Sequence, residues 1–360
     1  MKILQVITSL RTGGAEHIVV ELALGLRRLG HEVDVCTFLK EDTAFCRELE
    51  EQGVRVIGFA EKGSFYKISY ICRLARLIKD YDLVHTHNTS PQFFAALANI
   101  VRGRALITTE HSTNNRRRDK RIYLAADRWM YRRYDHVVCI SDIARQQLSD
   151  YLGNVKTPIS TIENGVDVEA IHAAEPLAEL QTDKFVVAMV AGFREAKDQD
   201  TLVRAFARLP KGEYELWLVG DGVRRAEVER LAAELNLKDT VRFLGLRTDV
   251  PRILRTADVV CMSSHWEGLS LSNLEGMSAG KPFIASDVNG LREATAGAGL
   301  LFPHQDVDAL ANLIRRLKND TALYTQTAQR CYERALQFDV HTMVQKYAEL
   351  YEEVVAGKKK

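Results

Sequence analysis

Residues 2–29 read KILQVITSLRTGGAEHIVVELALGLRRL. The first six are apolar apart from Lys2 and Gln5. A polar break with paired glycines, Gly13 and Gly14, follows. From Glu16 onward Ile18, Val19, Leu22, Leu26 and Leu29 recur at helical spacing on one face. Strand, glycine turn and amphipathic helix is the opening of a parallel sheet covered on both sides, because a strand buried on both faces reads as a near-continuous apolar run.

The same grammar recurs. EVDVCTF (32–38), VRVIGF (54–59), LVHTH (83–87), ALITTE (105–110) and HVVCIS (136–141) are further strand candidates, most of them separated by helical patterns. At Phe185 the pattern starts again with FVVAMV. YELWLVG, VRFLG, DVVCMS, PFIAS and GLLF follow it. The expected fold is α/β, with two Rossmann-like doubly wound parallel-sheet domains facing a central cleft. The expected boundaries are residues 1–167 for the first domain and 185–337 for the second. Residues 168–184, VEAIHAAEPLAELQTDK, carry no strand pattern and read as the connection. Residues 338–360 read as a terminal helix crossing back to the first domain, with Met343, Val344, Tyr347, Leu350, Tyr351 and Val354 as its apolar stripe.

The 360 residues exceed what one core usually holds, which agrees with two domains. No apolar run reaches the roughly 20 residues that span a bilayer, and the N-terminus reads as a strand, not a signal peptide. The expected location is the cytoplasm, with a peripheral association at the inner face of the plasma membrane. A net charge of +1 gives a nucleic-acid partner no support. Six scattered cysteines without a CxxC pair read as buried thiols in a reducing compartment, not as disulfides or a cysteine zinc site.

Five constellations could carry chemistry. TGGAE (12–16) lies between a strand and a helix. It fits either a phosphate against helix N–H groups or a tight turn. GFREAKD (192–198) puts Arg194 and Lys197 at a strand's C-terminal end, as diphosphate neutralisers or as a solvated turn. WEGLSLSNLEGMSA (266–279) holds Glu267 in a loop and Glu275 in a helix. Ser272-x-x-Glu275 matches a capping box, and a carboxylate also accepts well from two vicinal hydroxyls. His85, His87 and His111 follow first-domain strands. His85 reads as a satisfied core residue, whereas His87 and His111 lie near enough to strand ends to meet a ligand. Arg116, Arg117, Arg118, Lys120 and Arg121 form a basic segment with aromatic residues beyond it. It suits a solvated face, or an acceptor or anionic membrane contact.

Taken in order, TGG (12–14), LGHEVDV (29–35), TEHS (109–112), ISDIARQQL (140–148), ENGVD (163–167), KDQDTLVRAF (197–206), LVGDG (218–222), VRFLG (241–245) and EGLSLSNLEGMSAGKPFIASDVNGLRE (267–293) resemble the retaining glycosyltransferases of family 4, which have the GT-B fold. The resemblance runs nearly end to end. It implies a nucleotide-sugar donor, UDP- or GDP-linked, and a saccharide or lipid-linked saccharide acceptor in cell-surface polysaccharide synthesis. It implies that Glu275 holds the donor ribose and that Glu267 contacts the transferred sugar. Lys197 would bind the diphosphate, and the backbone over Gly268, Leu269, Ser270, Leu271 and Ser272 would donate to sugar and phosphate. Gly14 would approach the donor phosphate, His111 the reaction centre, and Leu244 and Gly245 the base. Two departures stand out. Gly192 occupies the place of a family arginine, for which Arg194 offers a substitute, and LSLS replaces a common FGLP. No metal and no cofactor are expected. Asp198-Gln199-Asp200 reads as a helix start. A nucleotide-sugar isomerase or epimerase on the same fold, and a non-catalytic nucleotide-sugar binder, are the alternatives.

Overall fold

The computed structural model describes residues 1–11, 13–112, 118, 120–267 and 270–358. Among them the first sheet is built from β1 (Lys2–Ile7), β2 (Glu32–Leu39), β3 (Arg55–Ala60), β4 (Leu83–His87), β5 (Ala105–Glu110), β6 (His136–Cys139) and β7 (Ile159–Thr161). Their order is β3-β2-β1-β4-β5-β6-β7, parallel throughout. The short edge strand β7 is the one that periodicity does not announce. It has three residues, all half-buried.

The second sheet contains β8 (Phe185–Val190), β9 (Tyr214–Val219), β10 (Val241–Gly245), β11 (Val259–Met262), β12 (Phe283–Ser286) and β13 (Leu300–Phe302). Its order is β10-β9-β8-β11-β12-β13, also parallel. Both sheets reverse their winding at their first strand. β1 lies between β2 and β4, and β8 lies between β9 and β11. That topological switch point is where the loops at carboxyl strand ends part to leave a crevice.

The chain divides into a first unit, Met1–Gly165 with Val340–Lys360, and a second, Val166–Asp339. The segment read from sequence as a connection, 168–184, is packed into the second unit. It forms the helix Val168–Ala173. Leu177 and Leu180 are buried with Val186, Trp217 and Ile253, and the Leu177 N–H donates to Thr256 Oγ1 at 2.8 Å. Sparse apolar residues in an irregular stretch hide such packing from a periodicity argument.

The helix Val340–Lys358 belongs to the first unit. It buries Met343, Val344, Tyr347 and Tyr351 as the stripe predicts, with Ala348 and Val355 beside them. Leu350 and Val354 are half-buried. Gly25 lets it approach: a Cβ there would come within 2.5 Å of Val344 Cγ2. Leu29 lies just past the end of helix Gly14–Arg28 and is 47 % exposed, so it leaves the apolar face. Among the described residues no helix is long and apolar enough to cross a membrane. Of the six cysteines, Cys72 is exposed and the other five are buried.

Candidate functional site

In the second unit the site begins with Gly220 and Gly222, the two glycines of LVGDG (218–222). Gly220 and Gly222, after β9, have φ of +130° and +157°. A Cβ on Gly220 would collide with the Ala191 carbonyl oxygen at 2.3 Å, and one on Gly222 with that of Phe193 at 2.5 Å. The backbone after β9 therefore lies directly on the backbone after β8. Ala191 N–H donates to Val219 O at 2.9 Å and Phe193 N–H to Asp221 O at 3.0 Å. These contacts fix the path of Gly192–Lys197.

A tight turn, Glu195–Lys197, follows, and Asp198 then starts helix Gln199–Phe206. Asp198 takes a left-handed conformation, φ +46°, and its carboxylate caps the Thr201 N–H at 3.2 Å. The reading of Asp198 as a helix-start acid is thus realised as an N-cap. Burial raises its pKa, while the hydrogen bond from the Thr201 hydroxyl acts in the opposite direction.

The loop after β11 is stitched to that turn. Ser263 Oγ donates to the Asp198 carbonyl at 2.7 Å, and His265 N–H donates to the Ala196 carbonyl at 2.8 Å. This stitching brings Lys197 and Glu267 together. Lys197 Nζ donates to Glu267 Oε1 at 2.5 Å, and Ser264 Oγ donates to the same oxygen at 2.6 Å. The Lys197 and Glu267 side chains are 20 % and 10 % exposed. Sequence reasoning gave them separate ligand contacts and missed both their pairing and Ser264. A serine three residues before the glutamate was the available signal. Ser264 is held in turn by Ser286, whose hydroxyl donates to the Ser264 carbonyl at 2.6 Å.

The predicted capping box is not what starts the next helix. Helix Leu271–Ser278 has Ser270 as its N-cap, without a side-chain cap bond. Ser272 and Glu275 lie inside it, where Ser272 cannot take the cap position. Ser270 is buried, and Leu271, Ser272 and Glu275 are half-buried. The helix lies close on its sheet because Gly276 has no side chain: a Cβ there would meet the Phe283 ring at 2.6 Å. No side chain caps its N-terminus, and the unpaired N–H groups of a helix's first turn are a general anion-binding feature. Gly268 and Leu269 lie outside the described residues.

Arg194 is exposed at the start of the Glu195–Lys197 turn. Its Nε lies 3.8 Å from the place a Cβ on Gly192 would take. Leu244 and Gly245 end β10 at a register shift. Gly245 has φ +68°, and its carbonyl accepts the Gly220 N–H at 2.8 Å.

The first unit presents different chemistry. Gly14 opens helix Gly14–Arg28, with Gly13 as N-cap. His111, just beyond β5, belongs to a chain of hydrogen bonds. Its Nε2 lies 2.8 Å from His87 Nδ1, and His87 Nε2 lies 2.8 Å from Gln5 Oε1. Because an amide oxygen only accepts, His87 carries its proton on Nε2 and accepts from His111. Gln5 Nε2 donates to the Tyr351 hydroxyl at 3.2 Å, which is 2.5 Å from His85 Nδ1. His85 Nε2 is 2.8 Å from Thr109 Oγ1, and that hydroxyl meets Tyr347 OH at 2.9 Å. Burial drives the pKa values of His85 and His87 well down and that of His111 to about 4, so all three rings are neutral at pH 7. His85 is a satisfied core residue, as expected. His87 is fully buried too, against the expectation that it stands near a ligand, because its neighbours complete both ring nitrogens.

The basic segment is only partly an outward face. Arg118 turns inward onto Glu110 at 2.6 Å, with the two side chains 11 % and 7 % exposed. Glu110 also accepts from Gln92 Nε2 at 2.6 Å and from the Tyr131 hydroxyl. A buried carboxylate requires a counter-charge, and Arg118 supplies it. Lys120 is exposed. Arg121 starts the short turn Arg121–Tyr123. Arg116 and Arg117 lie outside the described residues.

Two doubly wound parallel sheets, with a lysine–glutamate pair at the switch point of the second, make up the architecture of the GT-B glycosyltransferases. The family described as Glycosyltransferase Family 4 matches residues 12–170, and Glycosyl transferases group 1 matches residues 174–338. The chain belongs to this family. The UDP-Gal:alpha-D-GlcNAc-diphosphoundecaprenol alpha-1,3-galactosyltransferase of Escherichia coli is 26% identical over 323 residues, 80% of this chain and 83% of that protein. The phosphatidyl-myo-inositol mannosyltransferase of Mycolicibacterium smegmatis is 26% identical over 359 residues, 95% of this chain and 90% of its own. The crystal structure of Anabaena HepE in complex with UDP superposes with a TM-score of 0.85 at 25% identity, covering 98% of this chain and 100% of that one.

Proposed function

We propose that this glycosyltransferase moves a hexose-type sugar from a nucleoside-diphosphate donor, UDP-linked ahead of GDP-linked, to a saccharide or lipid-linked saccharide acceptor, with retention at the anomeric carbon. The carrying observation is the Lys197–Glu267–Ser264 cluster at the end of β11. UDP bound in HepE, and the diphosphoundecaprenol and inositol-lipid acceptors in the names of two relatives, support the choice of donor and acceptor.

Without a donor, Lys197 neutralises Glu267. An arriving diphosphate competes for the ammonium, and Glu267 stays oriented by the Ser264 hydroxyl toward a sugar hydroxyl. Glu275 takes the ribose. The N–H groups at the start of helix Leu271–Ser278, with Lys197 and Arg194, stabilise charge that grows on the leaving diphosphate. The anomeric carbon–phosphate oxygen bond breaks as the acceptor oxygen attacks on the same face. The departing phosphate oxygen takes the acceptor's proton, so no side-chain base is needed. His111, neutral and donating to His87, would offer its other ring nitrogen as a hydrogen-bond group, and Gly14 its backbone.

A thermal-shift screen of the full chain against UDP, GDP and their hexose conjugates tests the donor, since a ligand that binds only the folded state raises Tm by mass action. A shift with one sugar nucleotide and acceptor-dependent release of its nucleoside diphosphate is expected. Conversion of the sugar without acceptor makes the chain an isomerase. No shift and no turnover across the panel overturns the proposal.

A further inference from the structure

Three side chains on three loops of the second unit converge beside the Lys197 turn. Asp198 follows β8, His265 follows β11 and His304 follows β13. His265 Nδ1 lies 2.8 Å from His304 Nε2 and 3.5 Å from Asp198 Oδ2. One ligand atom from each of the three falls within 4.8 Å of the other two. We propose that Asp198, His265 and His304 form a binding site for a divalent transition cation of the zinc class, distinct from the diphosphate contacts.

The donor set fits the ion. Two imidazoles and one carboxylate suit zinc, cobalt or nickel, whereas magnesium and calcium prefer oxygen alone. Zinc bonds of about 2.0–2.2 Å in a tetrahedron set ligand atoms roughly 3.3 Å apart. The 3.5 Å separation is near that value. The 2.8 Å pair must open by about half an ångström, and His304 stands on an exposed loop where it can yield.

Asp198 is already oriented as a ligand. Its Oδ2 accepts from Thr201 Oγ1 at 2.7 Å and its Oδ1 from Thr201 N–H. Such outer bonds commonly fix ligating carboxylates. Its side chain is 4 % exposed, and the ion-pair partner found among the described residues is His265, which is charged only when protonated. A cation would supply the missing counter-charge. The nearby acids differ: Asp200 is paired with Arg224 at 2.8 Å, and Glu227 with the same arginine at 3.0 Å. A groove of about 560 Å³ reaches Asp198 and His265, leaving access for the ion and for a fourth, water ligand. Bound there, the ion would tie the turn carrying Lys197 to the loop carrying Glu267. It would support the geometry of that pair without touching the reacting atoms.

The test uses the full chain, without a histidine tag, stripped by chelator and titrated with cobalt(II) and then zinc(II). The expected result is one cobalt equivalent with the intense visible band of a four-coordinate site, displaced by one zinc. His304→Gln and His265→Gln should each weaken binding at least about tenfold, the scale of losing support at such a site. Asp198→Asn keeps the helix cap and should do the same, which separates loss of a ligand from loss of the fold. Absence of the band from the parent chain, or less than a tenfold change in the histidine variants, overturns the site.

Discussion

The two units share a parallel doubly wound sheet and the same switch point, yet they treat polar groups there in opposite ways. In the first unit the central strands β1, β4 and β5 contribute Gln5, His85, His87 and Thr109, closed by Tyr347 and Tyr351 of the terminal helix. Those groups are buried, neutral and mutually bonded. In the second unit the central loops carry charge: Lys197 on Glu267, and Asp198 beside His265. Those groups are held by backbone stitching, and a groove reaches Asp198 and His265. Neutral networks fix a unique packing, and charges at a crevice are available to a ligand. The first unit closes its switch point with neutral, mutually bonded groups, whereas the second keeps ion-paired groups there.

Acid should break the first arrangement. Unfolded histidine titrates near pH 6.5, while burial holds His111 to about 4 and His85 and His87 well below 6.5. Above about pH 6.5 neither state takes these protons, and stability is complete. As pH falls from there toward 4, the unfolded chain binds protons that the native rings refuse, so stability is lost. Carboxylates held low by arginine, Glu41, Asp249 and Asp287, act only near and below the usual carboxylate range of about 4. Hydrogen exchange read by mass spectrometry from pH 7 to 4 should show β1, β4, β5 and the terminal helix opening first. A first unit as protected at pH 4.5 as at 7 would contradict the neutral-network account.

The second arrangement should break through its backbone. Gly220→Val puts a branched side chain into a carbonyl already 2.3 Å from the Cβ position, at φ +130°. We expect a loss of about 3 kcal/mol or more in urea unfolding of the second unit. The donor-induced Tm shift should disappear as well, because the Lys197 turn rests on that backbone. A stable variant that still binds donor would remove the glycine from the account of the site.

A gentler change sharpens the first unit. Tyr351→Phe leaves Gln5 Nε2 and His85 Nδ1 without the hydroxyl that joins them. Stranding buried polar groups costs about 1–3 kcal/mol, measurable by urea denaturation, and the effect should be confined to this unit. An unchanged midpoint would mean that the hydroxyl contributes no net stability.

Much of this contrast could be read in the sequence. Strand cores such as FVVAMV and KILQVI are buried on both faces, and that burial dictates continuous apolar composition, so the strands announced themselves. Lys197 and Glu267 stood out because an acid or a base just beyond a strand is chemically marked, whereas Glu275, inside helix Leu271–Ser278, was singled out by the family resemblance. What stayed hidden depended on pairing across long separations. Lys197 and Glu267 are 70 residues apart, and nothing local says that they bond. Arg118 looked like its basic neighbours until Glu110, on a different element, claimed it. Ser272-x-x-Glu275 satisfied a local rule, but the tertiary position of helix Leu271–Ser278 moved the cap to Ser270.

The smallest expected effect concerns Arg194 and asks whether the second unit's charge can be relocated. The backbone at Gly192 is not left-handed. A Cβ there would meet Asp221 O at 3.5 Å and Arg194 Nε at 3.8 Å, both ordinary contacts. An arginine stem can therefore enter from 192 without strain, into the space that the Arg194 side chain now borders. Arg194→Ala should weaken donor binding about tenfold, the worth of one partly exposed charge-assisted contact to a phosphate. Arg194→Ala with Gly192→Arg should recover most of it, because the charge returns from two residues earlier. Both are read by titrating the preferred nucleoside diphosphate into the full chain. If the single change costs nothing, Arg194 is a solvated turn residue and Lys197 carries the diphosphate with the helix amides. If the single change costs affinity and the double change does not restore it, the contact depends on the bonds that hold Arg194 in its turn, not on charge at that place alone.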